Sequence, residues 1–66
     1  ERFLVNEKYL IIIRASIIWR GDNRIILMDV LAREPLTRDD LNEFKKKIQA
    51  NLNKKLIIRL KTFYIP

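Results

Sequence analysis

The 66-residue chain contains one glycine, two prolines, no cysteine and no histidine. It has room for one small domain and excludes a disulfide frame, a zinc or haem site of the usual kind, and a Ser-His or Cys-His nucleophile pair. Lys and Arg outnumber Asp and Glu by 14 to 8, a net charge of +6, while Ile, Leu and Val number 11, 9 and 2; that aliphatic content is too high for intrinsic disorder.

Residues 1–8 have two readings: Arg2 to Val5 either extends a first strand or ends a preceding helix. From Tyr9 to Trp19 the chain is rich in Ile and aromatics without a helical stripe, which predicts a strand over about 9–19. Arg20-Gly21-Asp22-Asn23 gathers turn residues between two aliphatic runs. Gly21 accepts positive φ without steric cost, and Asp22 and Asn23 tolerate it, so a hairpin turn is expected. A second strand follows over about 24–33, antiparallel to the first.

Pro35 lacks a backbone donor and should end that strand. Thr37 then reads as a helix N-cap, with Asp40 reaching back as a short capping box and Leu36 and Leu41 placed as a hydrophobic staple. Asp39 and Asp40 in the first turn, and Lys54 and Lys55 past the last, suit the helix dipole. Leu41, Phe44, Ile48 and Leu52 form one apolar stripe, and Asn53 is a suitable terminator. The helix should span about 38–52. Leu56 to Ile65 reads as a third strand, over about 56–65. If it shares a sheet with the second, the two run parallel through a helical crossover. The expected fold is α+β in ββαβ order: a three-stranded mixed sheet with one helix on one face, over 1–66 as a single domain.

The strands carry more apolar surface than one helix can cover. In the second, Ile26, Met28, Val30 and Ala32 alternate with Ile25, Leu27, Asp29 and Leu31. In the third, Leu56, Ile58 and Leu60 alternate with Ile57, Arg59, Lys61, Phe63 and Ile65. In the first, Leu10, Ile12 and Ile18 oppose Tyr9, Ile11, Ile13, Ile17 and Trp19. A sheet with one wet face alternates more cleanly. A second apolar face is therefore expected to be covered by a second copy or by the remainder of a longer chain, with Ile11, Ile13, Ile17, Trp19, Ile25, Leu27 and Phe63 as the interface. The simpler alternative folds Arg2 to Tyr9 back over that face.

Lys45, Lys46, Lys47, Arg59 and Lys61 form a candidate basic patch for nucleic acid. No GxxG loop or aromatic RNP strand accompanies it, and Glu43 is spaced to pair along the helix with Lys46 or Lys47. An anionic membrane surface could draw on the same charges. Arg20-Gly21-Asp22 spells an adhesion tripeptide, but the turn itself explains Gly and Asp there. Asp29 has no second catalytic group nearby and is expected to pair with Arg14 or Arg59 across the sheet. Trp19 suits an interface anchor or a cap on the hairpin. Asp39, Asp40 and Glu43 could approach a divalent ion, though capping explains them better. No catalytic residue, metal site, cofactor or small-molecule substrate is expected, and an enzyme ranks last.

Glu34-Pro35-Leu36-Thr37-Arg38-Asp39-Asp40-Leu41, followed by Phe44, Ile48 and Leu52, then Lys55 to Leu60 and a closing Ile65-Pro66, resembles a known arrangement. It is similar to the C-terminal soluble segment of a family of uncharacterised prokaryotic hydrophobic membrane proteins, where a strand leads into P-L-T-x-x-D-L, an amphipathic helix and a strand ending in I-P or V-P. The likeness covers about 25–66. It implies a small extramembrane domain that assembles with its own copies or regulates a transport or channel-like bundle, and it implies no catalytic residues. In the chain itself, Tyr9 to Ile13 is the longest apolar run and Arg14 breaks it, far short of the roughly 18–20 residues that cross a bilayer. Residues 1–20 lack the pattern of a signal peptide, and the absence of cysteine fits a reducing compartment. The expectation is a cytoplasmic, non-enzymatic oligomerisation or regulatory module, tethered to a membrane if the chain is cut from a longer one; the alternative is a small basic nucleic-acid-binding module.

Overall fold

Two tight turns and one proline-marked corner set the architecture. In a computed structural model, residues 2–52 and 56–65 are described. They form strand β1 (Arg2–Val5), strand β2 (Lys8–Arg20), strand β3 (Asn23–Ala32), helix α1 (Arg38–Ala50) and strand β4 (Ile57–Tyr64). The fold is α+β: a four-stranded mixed sheet in the order β1-β2-β3-β4 with one helix. β1–β2 and β2–β3 are antiparallel, and β3–β4 is parallel as the helical crossover requires.

β1 corrects the three-stranded, ββαβ expectation; the observed order is βββαβ. Arg2 to Val5 neither ends a helix nor folds over the open face. It adds an edge strand to the same sheet, with Phe3 opposite Leu10 and Val5 opposite Lys8. The turn between β1 and β2 is Asn6-Glu7, both at positive φ (50° and 66°). Two consecutive left-handed residues define the primed turn that matches strand twist. Glycine usually marks such a turn, and here there is none. Glu7 is exposed, so Glu7→Gly is expected to raise stability by about 0.5–1 kcal/mol, read as a higher urea midpoint. A fall in midpoint would mean that Glu7 is not strained there.

The second turn uses its glycine as expected. Arg20 faces Asn23 across a two-residue loop in which Gly21 has φ 61°. The helix starts as its sequence predicts: the Thr37 Oγ1 accepts from the Asp40 N–H at 3.1 Å, and the Asp40 carboxylate accepts from the Thr37 N–H at 2.8 Å. It ends at Ala50, with Asn51 as C-cap, and Leu52 lies just beyond while still packing on the core. Asn53, Lys54 and Lys55 lie outside the described residues.

Between Ile12 and Arg14 the ladder shifts register, so one extra residue, Ile13, enters β2. Side chains alternate with period two, and an inserted residue exchanges the two faces of everything beyond it. Before the bulge, Leu10 and Ile12 point to the helix side with Ala32 and Val30. After it, Ala15, Ile17 and Trp19 do, opposite Met28, Ile26 and Arg24. The core therefore comes from Val5, Leu10, Ile26, Met28, Val30, Phe44 and Ile48, with Phe3, Ile12, Leu36, Leu52, Leu56, Ile58 and Leu60 packed around it. Phe44 is fully buried and meets the Phe3 ring edge-on, with centroids 5.4 Å apart.

Candidate interface on the open sheet face

Residues directly opposite in a ladder share a face, so register defines the surface away from the helix. Ile11, Leu31 and Phe63 form one row across the sheet. Arg14, Asp29 and Lys61 form the next, followed by Ser16, Leu27 and Arg59 and then Ile18, Ile25 and Ile57. Two apolar rows thus flank a charged row and a mixed one. Arg2 and Leu4 continue the face onto β1, opposite Ile11 and Tyr9. Leu4, Tyr9, Ile18, Leu27, Ile57, Phe63 and Ile65 are all exposed.

The residues expected to form one interface fall into four groups. Ile11, Leu27 and Phe63 lie together on this face as anticipated. Ile25 shares the face but is only 3% exposed, because it sits in an inner strand between Ile18 and Ile57. Ile17 and Trp19 belong to the opposite face, and Ile13 occupies the bulge. The bulge is the physical reason: uniform alternation from Tyr9 to Trp19 places Ile17 and Trp19 with Ile11. Ile18 takes their place, joined by Leu31, Ile57 and Ile65. Ile18 carried no usable signal, since an unmarked bulge leaves period-two counting intact on either side.

The basic patch is also divided. Arg59 and Lys61 project from β4 onto the open face, beside Leu27 and Asp29, whereas Lys45, Lys46 and Lys47 ride on the helix that covers the other face. Lys46 pairs with Glu43 at 3.4 Å, and the Lys61 ammonium lies 5.3 Å from the Phe63 ring centre. Asp29 stands between Arg14 and Lys61 in register, so Lys61 holds the position expected for Arg59. The opposite-sign neighbours are favourable, yet the described ion pairs are formed elsewhere. At one end of the face, Tyr9, Ile11, Leu31 and Ile65 line a cleft of about 310 Å³ together with Arg2, Arg33 and Glu34. The Arg2 guanidinium lies 5.4 Å from the Tyr9 ring centre.

A polar clamp with no local sequence signal fixes the helix to the sheet. Asp40, 3% exposed, accepts from the Lys8 Nζ at 2.7 Å and from the Asn6 Nδ2 at 2.8 Å, in addition to the Thr37 N–H. Lys8 also donates to the Pro35 carbonyl at 3.0 Å. The Lys8 ammonium first, then Asn6 and the Thr37 backbone, hold the Asp40 carboxyl well below the usual carboxylate range, against the opposing effect of desolvation. Asp40 is thus committed to capping and clamping. Among the described residues no group of three acidic, His or Cys side chains is placed to hold a metal ion. No helix among them is long and apolar enough to cross a membrane.

These features define a small α+β domain whose helix covers one sheet face except along β2 beyond the bulge, and whose other sheet face is uncovered. No family model, curated protein or solved structure matches the chain.

Proposed function

We propose that this domain is a non-enzymatic oligomerisation or regulatory module that associates through its open sheet face. The observation that carries the reading is the exposure of Ile18, Leu27, Ile57 and Phe63 on a face that the only described helix does not cover. Apolar surface returns about 25 cal/mol per Å² when it leaves water, and soluble monomers rarely leave a large contiguous apolar patch open. The alternation of Arg14, Asp29 and Lys61 between the apolar rows supplies a charge pattern that can align a second copy. The likeness to the extramembrane segment of hydrophobic membrane proteins supports a setting in which such a domain gathers or regulates a larger assembly at a membrane. The nucleic-acid alternative draws on the same +6 charge, and the division of its lysines and arginines between two faces disfavours it.

Leu27→Lys places an ammonium in the middle of the face. Concentration-dependent association in sedimentation velocity is expected to weaken at least about tenfold, while far-ultraviolet circular dichroism still reports the helix. Unchanged association would overturn the face as the contact. Binding to DNA or RNA that falls steeply with added salt would instead support the alternative.

A further inference from the structure

β2 is paired on its outer side only as far as Ile11, the partner of Arg2. From Ile12 to Arg20 the described residues offer that edge no neighbour. Every second residue there leaves an N–H and a C=O directed outward, which only another extended backbone can satisfy as a ladder. Ile17 and Trp19 flank this edge on the helix side, yet they are 60% and 65% exposed. The open-face contact does not account for them, because they lie on the other side of the sheet.

We infer that residues 16–20 of β2 pair antiparallel with the same residues of a second copy, centred on Ile18, so that two four-stranded sheets become one. The inference rests on the reading of the domain as self-associating but uses a different surface. Several registers are excluded on physical grounds. A two-fold axis normal to the sheet keeps each side chain on its own side, so directly opposed residues must share a face and one residue must oppose itself. Centring on Arg14 sets two guanidinium groups against each other. Centring on Ile17 opposes Arg14 and Arg20, again like charges. With Ala15 or Ser16 at the centre, the incoming hairpin runs into the position that β1 already occupies from Arg2 onward. Trp19 at the centre shortens the ladder. Ile18 leaves none of these conflicts.

In that register Ile18 meets Ile18 on the open side, and Ile17 meets Trp19 on the helix side. Ser16 lies opposite Arg20, and the Gly21-Asp22 turn of one copy comes beside Arg14 of the other, a pair of opposite charge. The contact thus covers the exposed side chains that neither the helix nor the open face explains.

The chain contains no cysteine, so single-thiol variants test the register under mild oxidation by copper-phenanthroline. The Ile18 Cβ atoms should lie about 5 Å apart across the axis, and those of Ser16 about 14 Å apart. Ile18→Cys is expected to form a disulfide-linked dimer at least about tenfold faster than Ser16→Cys, since only the former is within disulfide reach. Equal rates, or a faster Ser16→Cys, would overturn the inference. Hydrogen exchange of the unsubstituted protein provides an independent check. Outward amides between Ser16 and Arg20 should slow as concentration rises, and no change would count against the edge. Combining Ile18→Cys with Leu27→Lys separates the two contacts. Retained cross-linking with loss of the larger assembly supports both readings. Retained cross-linking with the assembly unchanged by Leu27→Lys supports the edge and overturns the face, and loss of the cross-link overturns the edge contact.

Discussion

Phe44→Ala is expected to leave the protein largely unfolded at 37 °C, and it is the most damaging single truncation the core offers. Phe44 is fully buried, stacks edge-on with Phe3 and lies in one cluster with Val5, Leu10, Val30 and Ile48. Removing such a ring costs about 3–5 kcal/mol through lost transfer free energy and the cavity left behind. A domain of this size has a total stability of only about 3–10 kcal/mol. The thermal midpoint should fall by roughly 12–40 °C, at about 4–8 °C per kcal/mol. Phe44→Leu keeps much of the volume and should lose less than half as much. A midpoint for Phe44→Ala within a few degrees of the unsubstituted protein would mean that the helix does not seat this ring on the sheet.

The second large effect concerns acid. Asp40 is ionised well below the usual carboxylate range in the folded chain because the Lys8 ammonium, Asn6 and the Thr37 N–H all favour its charged form. An unfolded aspartate titrates near about 3.9. A folded-state pKa below the unfolded one stabilises the fold fully above the unfolded value, and that contribution is lost as pH falls through the folded one. Stability should therefore decline on acidification below about pH 4. Asp40→Asn should be destabilising at neutral pH, with the gap from the unsubstituted protein narrowing progressively below about pH 4. Urea midpoints for both proteins across this range provide the measurement. A gap independent of pH would show that the charge of Asp40 does not hold the clamp, leaving only its shape and hydrogen bonds.

The clamp also shows what a sequence can and cannot carry. Thr37 and Asp40 are three residues apart, so the capping box was legible from local spacing alone. Lys8 and Asn6 lie 32 and 34 residues before Asp40, and nothing local marks them as its partners. β1 was illegible for a related reason. A four-residue strand has little periodicity to read, and Asn6-Glu7 forms its turn without a glycine. The interface was legible only up to the bulge. Ile11, Leu27 and Phe63 follow unbroken alternation or lie in strands without an insertion. Ile17, Ile18 and Trp19 exchange faces because of one residue whose extra place in β2 is defined by its pairing with β3.

By itself the sequence determined that the chain folds with strands, a hairpin at Gly21, a capped helix from Arg38 and more aliphatic side chains than one helix can cover. All of these follow from composition, turn chemistry and local periodicity, which act within a few residues. Only the tertiary structure decided which side chains share the uncovered face, that an edge strand continues the sheet as far as Arg2, and that β2 beyond Ile11 has an open edge among the described residues. Those outcomes depend on cross-strand register, where a single inserted residue reverses every side chain after it.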